Sequence, residues 1–279
     1  MLAKALGITI LVALAGCATT PTALPEAKTL QPPTVETAKM SGGFSPVVQI
    51  PVNDSETKYV LGALYEPEGA GPFPAVILLS GCANWDPPSE VALVKRVNAD
   101  YLPNGIATLV LDSFTPRGVK GVCSDFDEMV RAVQYRVNDV YAAVTWLNST
   151  PKIDSKHIFL QGYSHGGWTG IMAVSPEARA AHKQAIAGLI AMYPACNTAN
   201  RFSVPAIILI GQEDDWTSAD LCNFLDKKNV EVTIYPGVQH GFASPGLDTV
   251  FLGHHIAYQE AAANDAQHRA LTFIQSLSK

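Results

Sequence analysis

The sequence predicts an α/β fold built around a mostly parallel sheet. Short apolar runs alternate with longer segments of helical period along the chain, which is the pattern of strands joined by crossover helices. Of the 279 residues, 48% are hydrophobic and 16% are charged, so the chain can bury one large core. No internal repeat and no change in composition within the core region requires a second globular domain.

Eight apolar runs are predicted to form the strands, and five segments the helices. The strands span 47–52, 59–67, 74–80, 106–112, 157–162, 185–193, 205–211 and 230–236. The helices span about 89–102, 126–148, 165–175, 218–228 and 253–277. The helix over 126–148 has the clearest pattern, because its valines recur at steps of three and four residues and form one apolar stripe. That stripe predicts packing against a sheet, with helices covering both of its faces.

The N-terminal segment has the features of an export signal. One lysine, Lys4, precedes an apolar stretch of about a dozen residues, which is shorter than the roughly 20 needed to cross a bilayer. The stretch ends in Leu-Ala-Gly-Cys at residues 14–17, which resembles the bacterial lipobox. The resemblance implies a signal peptide over 1–16 and lipidation of Cys17. Cleavage at an ordinary small-residue site, which would release a soluble secreted protein, is the alternative.

Residues 17–44 are rich in Pro, Thr and Ala and lack apolar periodicity. A segment of this composition cannot bury enough surface to order itself, so we expect a flexible tether followed by one folded domain over 45–279. The expected location is the bacterial cell envelope, on the periplasmic side or at the outer membrane. Contact with the membrane is expected through the lipid anchor only.

The charge distribution argues against a nucleic-acid partner. The formal net charge is -6 and the Lys and Arg residues form no cluster, whereas binding to a phosphate backbone requires grouped cations. No cysteine or histidine spacing typical of a zinc site is present, and the adjacent His254 and His255 do not provide one. We therefore expect no metal site. The sequence does not indicate an oligomeric state.

Four cysteines remain when Cys17 is set aside, an even number that suits an exported chain. Four cysteines allow three pairings. We expect local pairing, Cys82 with Cys123 and Cys196 with Cys222, because each bridge closes a loop of moderate length and contributes roughly 3 to 4 kcal/mol on the chain-entropy model. Four buried free thiols are the alternative.

The motif GYSHG at residues 162–166 follows the apolar run HIFLQ and precedes a segment that can begin a helix. This setting is typical of a nucleophile elbow, in which a strained turn presents a serine at the carboxyl end of a strand. Glycine is expected two residues before and two residues after Ser164, because a Cβ atom there would meet neighbouring backbone. The alternative is a glycine-rich helix start in which Ser164 is only an N-cap.

A serine hydroxyl needs a base to remove its proton and an acid to orient that base. After an elbow the chain order is serine, acid, histidine. Asp214 follows the apolar run IILI directly and is the preferred acid, with Asp215 and Glu213 as neighbours that could replace it. His240 lies in a glycine-flanked loop after the last predicted strand and is the preferred base.

Acyl transfer also needs hydrogen-bond donors for the oxyanion, and backbone amides serve this purpose. The expected donors are the N–H groups of His165, which follows the serine, and of Cys82, in the loop after the third strand. Arg117 is either a ligand of a substrate carboxylate or, as we favour, a structural partner of Asp125 or Asp127.

Two aromatic residues flank the catalytic candidates. Tyr163 precedes Ser164 and Trp216 follows Asp214 by two residues, so both are candidates to line an acyl pocket. Packing is the alternative role for each of them.

Five segments together resemble the dienelactone hydrolase family of α/β-hydrolases: LLSGCANW, VLDSFTPRG, GYSHGG, GQEDDWT and YPGVQHGF. The chain differs from the family pattern at two positions, since Ser164 replaces the usual elbow cysteine and Ser80 replaces the usual histidine of the oxyanion loop. The resemblance implies an α/β-hydrolase fold and a carboxylic-ester or lactone hydrolase acting on small molecules without a cofactor. A peptidase on the same fold and a binding protein that retains the scaffold are the alternatives.

Overall fold

The computed structural model describes residues 39–225 and 227–279. Eight strands form the central sheet: β1 (Val47–Pro51), β2 (Tyr59–Tyr65), β3 (Phe73–Leu79), β4 (Ala107–Asp112), β5 (Ile153–Tyr163), β6 (Gly188–Met192), β7 (Ala206–Gly211) and β8 (Val230–Tyr235). Their spatial order is β1-β2-β4-β3-β5-β6-β7-β8. β2 pairs antiparallel with β1 and β4, and every other pair in this sheet is parallel. The predicted eight-stranded, mostly parallel sheet is confirmed.

The helices are α1 (Pro88–Tyr101), α2 (Phe126–Asn148), α3 (His165–Ala173), α4 (Pro176–Ala181), α5 (Ala219–Asn223) and α6 (Glu260–Leu277). They cover both faces of the sheet, with α1 packed against α6 and α2 packed against α3. The bounds of α2 agree with the prediction. Its N-cap, Asp125, accepts a hydrogen bond from the backbone N–H of Glu128, which fixes where the helix begins.

The last helix begins later than predicted. Residues 253–257, expected to open it, instead form the end of a turn and the second strand of a hairpin, which consists of β9 (Asp248–Phe251) and β10 (His254–Ala257). Leu252 and Gly253 adopt φ values of 50° and 88°, so the chain reverses between the two strands. The hairpin is held by a bridge between Ile256 and His240, a long-range contact that periodicity does not reveal. The predicted helix over 253–277 is therefore wrong in its first turns.

Two further helices differ from the prediction. α5 ends at Asn223 rather than at 228. α4 was not predicted, although Ser175 caps it by accepting a bond from the N–H of Ala178, and Pro176 occupies its first turn. A serine followed by proline is a helix-start signal, so the sequence did carry a sign of this element.

The folded domain begins earlier than the predicted residue 45. Met40 and Phe44 are buried, and Ser41 Oγ donates a hydrogen bond of 2.7 Å to Asp112 Oδ2. The expected tether over 17–44 is therefore too long at its carboxyl end. The predicted signal peptide over 1–16 and Cys17 lie outside the described residues. Among the helices that are described, none is long and apolar enough to cross a bilayer.

Both expected disulfides are present, Cys82 with Cys123 and Cys196 with Cys222. The alternative of four free thiols is wrong. The first bridge joins the loop after β3 to the segment before α2, and the backbone N–H of Val122 donates to the carbonyl of Cys82 across the same junction. The second bridge joins the segment after β6 to α5.

Candidate active site

Ser164 occupies a strained turn between a central strand and a helix. β5 ends at Tyr163 and α3 begins at His165, and the serine between them has φ 51° and ψ -116°. Such a conformation costs a non-glycine residue roughly 1–3 kcal/mol and persists only where the surrounding structure enforces it. The turn lifts the side chain away from the sheet, as the predicted elbow requires.

The two motif glycines allow three backbone segments to meet at this turn. A Cβ atom on Gly162 would lie 2.2 Å from the carbonyl oxygen of Gly166. A Cβ atom on Gly166 would lie 2.3 Å from the carbonyl oxygen of Leu79, at the end of β3. Both contacts are with backbone, which cannot move aside as a flexible side chain could. Only glycine fits at either position.

The hydroxyl of Ser164 points to a histidine and not to its own helix. Ser164 is at the N-cap position of α3, but its side chain makes no capping hydrogen bond. Its Oγ lies 3.0 Å from Nε2 of His240. The interpretation of this serine as a simple N-cap is therefore not supported.

Asp214 is the carboxylate beside the imidazole. Its Oδ2 lies 2.7 Å from Nδ1 of His240, and both side chains are buried. The carboxylate also accepts hydrogen bonds from the backbone N–H groups of Trp216 and Thr217 and from the Thr217 hydroxyl, at 2.7–3.1 Å. The two alternatives lie elsewhere: Asp215 contacts His254 Nδ1 at 3.2 Å, and Glu213 is exposed.

The hydrogen bonds of His240 indicate which of its two ring nitrogens carries the proton. An ionised carboxylate only accepts, so Nδ1 of His240 carries the proton and donates to Asp214. Nε2 is then free to accept the hydroxyl proton of Ser164. The loop of Asp214 and the loop of His240 can approach because Gly211 lacks a Cβ atom, which would lie 2.1 Å from the carbonyl oxygen of Val238.

Ser164 and His240 open onto a cavity of about 220 Å³. The volume lies below the roughly 300–1,000 Å³ of sites for drug-sized ligands, so the cavity suits a small group. Much of its wall is apolar or aromatic, formed by Tyr163, Tyr193, Trp216, Leu247, Phe251 and Ile256. The hairpin of β9 and β10, which the sequence did not predict, supplies Phe251 and Ile256. Tyr163 and Trp216 line the cavity as predicted, and their contact with a substrate stays a prediction.

The sequence matches the family model of the dienelactone hydrolase family over residues 61–278. That stretch covers most of the chain. The chain belongs to the dienelactone hydrolase family. No curated protein matches it.

Solved structures share the fold of this family member at low sequence identity. A dienelactone hydrolase-like promiscuous phosphotriesterase from metagenomic libraries is 15% identical, with a TM-score of 0.65 over 83% of this chain and 98% of the other. A putative dienelactone hydrolase from Klebsiella pneumoniae is 16% identical, with a TM-score of 0.63 over 83% and 99%. A thermophilic esterase from Thermogutta terrifontis with propionate bound is 15% identical, with a TM-score of 0.61 over 84% and 95%.

In this member of the family, a buried arginine lies behind the loops next to Ser164. The side chain of Arg136, on α2, is almost completely buried. One of its terminal nitrogens lies 2.6 Å from Nδ1 of His165, and the other donates to the carbonyl oxygen of Ser80 at 2.8 Å. Arg136 thus connects the residue after Ser164 to the loop that carries Cys82.

The imidazole of His165 is held neutral by this contact. A guanidinium can only donate, so Nδ1 accepts, and Nε2–H donates to the carbonyl oxygen of Met129 at 2.9 Å. Burial, and then the charge of Arg136, lower the pKa of His165 to about 3. Burial also lowers the pKa of Arg136 to about 10, so the guanidinium remains charged near neutral pH. Sequence reasoning missed Arg136, although a charged residue beside the apolar stripe of α2 was a sign of it.

Arg117 does not reach the cavity. Its side chain is fully buried and forms ion pairs with Asp139 at 2.8 Å and Asp54 at 2.5 Å. The structural role is the correct one, but the predicted partners Asp125 and Asp127 are wrong. Asp139 lies on α2 and Asp54 in the loop after β1, so the pairing is long-range, which adjacency in the sequence could not indicate.

Glu90 is a second residue that the sequence did not single out. It lies in the first turn of α1, where an acidic residue normally only favours the helix N-terminus. Here its side chain lines the cavity, and its Oε1 accepts a hydrogen bond of 2.9 Å from Ser244 Oγ. Burial raises the pKa of Glu90 from 4.5 to about 7.

This pKa shift gives stability a pH dependence. The protonated form of Glu90 favours folding, so its contribution is fully present below about pH 4.5 and is lost as the pH rises through about 7. Glu90→Gln does not ionise and should avoid a cost of about 3 kcal/mol at most. We expect the thermal midpoint of Glu90→Gln to exceed that of the wild type by several degrees at pH 8 and to match it at pH 4.5. Calorimetry at the two pH values checks this, and a difference independent of pH would contradict it.

Proposed function

We propose that this protein is a serine hydrolase that cleaves small carboxylic esters or lactones through an acyl-enzyme intermediate. The single observation that carries the proposal is the position of His240, with one ring nitrogen 3.0 Å from Ser164 Oγ and the other 2.7 Å from Asp214 Oδ2. A hydroxyl, an imidazole and a carboxylate in line at these distances form a proton-transfer path.

In the first step Ser164 Oγ attacks the substrate carbonyl carbon while Nε2 of His240 accepts the hydroxyl proton. Asp214 keeps the imidazole in the required tautomer and stabilises the imidazolium that forms. Collapse of the tetrahedral intermediate breaks the bond to the leaving oxygen, which takes the proton from His240. Water then attacks the acyl carbon with His240 again as base, and release of the acid restores the serine hydroxyl.

The negative charge that develops on the carbonyl oxygen requires donors that are already oriented. We propose the backbone N–H groups of His165 and Cys82. His165 is the first residue of α3, where backbone amides are free and the helix dipole favours negative charge. Cys82 lines the same cavity as Ser164 and is tethered by its disulfide to Cys123.

The relatives support a hydrolase of this kind. The family is that of dienelactone hydrolases, and the similar structures include esterase 2 from Thermogutta terrifontis, in one structure with propionate bound and in another phosphorylated by paraoxon. Serine in place of the elbow cysteine favours a general ester substrate here. The small cavity favours a short acyl or alcohol group.

We expect Ser164→Ala to abolish hydrolysis of short p-nitrophenyl esters, because no nucleophile remains. Asp214→Asn should lower kcat by roughly 10⁴, as expected when the imidazole loses its tautomer. Asp215→Asn, which changes the adjacent exposed carboxylate, is the matched control and should retain activity. Initial rates over a series of chain lengths measure these effects.

The same assay separates the alternative functions. Equal rates for the wild type and Ser164→Ala would contradict the proposal and favour a binding protein. Faster cleavage of peptide amides than of esters would favour a peptidase. Paraoxon provides an independent check, because phosphorylation detected by mass spectrometry in the wild type should be missing in Ser164→Ala.

Arg136 is expected to act as a positioning residue. Arg136→Lys keeps a positive charge but cannot hold His165 and Ser80 at once, because its ammonium is a single point of contact. We expect kcat to fall roughly 10–100-fold and KM to change less. This loss in kcat is smaller than that caused by removing a whole oxyanion donor. Arg131→Lys, an exposed change on the same helix, is the control. Unchanged kcat in Arg136→Lys would contradict this role.

We also propose that the protein is exported to the bacterial cell envelope and anchored by a lipid on Cys17. The two disulfides support an oxidising compartment. Detergent extraction and mass spectrometry of the full chain should find a diacylglyceryl group on Cys17, and Cys17→Ala should be released from membranes. An unmodified Cys17 in the mature membrane-bound protein would contradict the anchor.

A further inference from the structure

The proposed mechanism leaves one carboxyl side chain of the cavity without a role. Glu90 lines the same space as Ser164 and His240, but it belongs to α1 and takes no part in the proton-transfer path. The cavity wall otherwise contains no acidic residue, and no lysine or arginine of the described chain contributes to it. A single carboxyl therefore faces a space that is mostly apolar and aromatic.

Its surroundings do not neutralise this carboxyl. The hydrogen-bond partner that the described residues give it is the hydroxyl of Ser244, which is uncharged. A carboxylate offers about four acceptor positions, of which Ser244 uses one. A carboxyl without a cationic partner in such a cavity is unfavourable, so it needs a reason for its presence.

The neighbouring phenols carry no charge that would offset this cost. Burial raises the pKa values of Tyr163 and Tyr193, and proximity to Glu90 contributes to both shifts. These phenols therefore remain protonated and provide no positive charge. The pKa of Glu90 itself is raised, as described above, which agrees with a site that lacks a fixed cation.

We propose that the substrate group filling this cavity carries a hydrogen-bond donor, a hydroxyl or an amine, and that Glu90 accepts it. The inference rests on the proposed function and names its substrate class. The apolar wall would contact the carbon chain of that group, and Glu90 would fix its polar end. Glu90 is in this sense a specificity residue and not a catalytic one.

A purely structural role is the competing interpretation. An acidic residue in the first turn stabilises a helix through its dipole, whatever the ligand. Glu260 is the matched case, since it lies in the first turn of α6, is exposed and is outside the cavity. Glu260→Gln therefore controls for the loss of a first-turn charge.

The test compares esters that differ only in the substituent at the end of the acyl chain or of the alcohol chain. Hexanoate, 6-hydroxyhexanoate and 6-aminohexanoate esters of one alcohol examine the acyl side, and hexanoates of 1-hexanol and 1,6-hexanediol examine the alcohol side. We expect wild-type kcat/KM to favour the donor-bearing ester at least 10-fold in one series. The hydroxyl and amine arms distinguish a neutral donor from a cationic one.

The variants assign that preference to Glu90. Glu90→Leu should bring the ratio of donor to plain ester close to 1, and Glu90→Gln should lose the amine preference, because an amide carries no charge. Glu260→Gln should keep the wild-type ratio. If Glu90→Leu does not fold, Glu90→Ala takes its place for the hydroxyl ratio, and the amine ratio is read from Glu90→Gln.

Two results would overturn the inference: no donor preference in either wild-type series, or a preference that survives the change expected to remove it, which is Glu90→Leu for both donors and Glu90→Gln for the amine. Hydrolysis of the plain hexanoate that depends on Ser164 would still support the proposed function in both cases. If Ser164→Ala instead left that hydrolysis unchanged, the proposed function itself would fail. The two failures are therefore distinguishable.

Discussion

The close backbone approach at the elbow is the constraint on which the site depends. Gly162 and Gly166 let the end of β5, the start of α3 and the end of β3 meet at distances that no Cβ atom permits. This contact holds Ser164 in its strained conformation, with φ 51°. It also brings the loop after β3 beside the serine, so the nucleophile and the expected oxyanion donors share one support. Strain at a single residue is thus balanced by the packing of three central elements.

Two buried arginines near the elbow, Arg117 and Arg136, have different kinds of partner. Arg117 is paired with two carboxylates, so its charge is compensated locally and its role is to join α2 to the chain after β1 and β4. Arg136 has no hydrogen-bonded carboxylate among the described residues and instead donates to a neutral imidazole and a carbonyl oxygen. Asp139 and Asp112 act on its charge without a direct hydrogen bond. A cation near a site where an oxyanion is expected to form would add to the stabilisation provided by the backbone amides. The two arginines lie nineteen positions apart in the chain. Arg117 is hydrogen-bonded to carboxylates, whereas Arg136 is hydrogen-bonded to neutral groups.

The sequence allowed the sheet and the three proposed catalytic residues to be predicted for clear physical reasons. Parallel strands that are buried on both faces appear in the sequence as continuous apolar runs. A glycine-flanked serine directly after such a run is typical of a nucleophile elbow and has few other structural explanations. Asp214 and His240 could be selected because both follow strands at the same edge of the sheet. Glu90 and Arg136 could not, because their roles depend on which loop or cavity their helices face. The hairpin of β9 and β10 was missed for a similar reason, since its short strands are fixed by a bridge to His240 rather than by their own periodicity.

That bridge links the cavity wall to the proposed proton path. The carbonyl of His240 accepts from the N–H of Ala257, and the carbonyl of Phe242 accepts from the N–H of Gln259, so the backbone around the imidazole is hydrogen-bonded to the end of the hairpin. The same hairpin contributes Phe251 and Ile256 to the cavity wall. Any insertion or exchange in this segment that reshapes the cavity would therefore also displace the ring that has to meet the serine. Diversification of the family member toward new ligands would be easier from the α1 side, where the wall carries no part of the proton path.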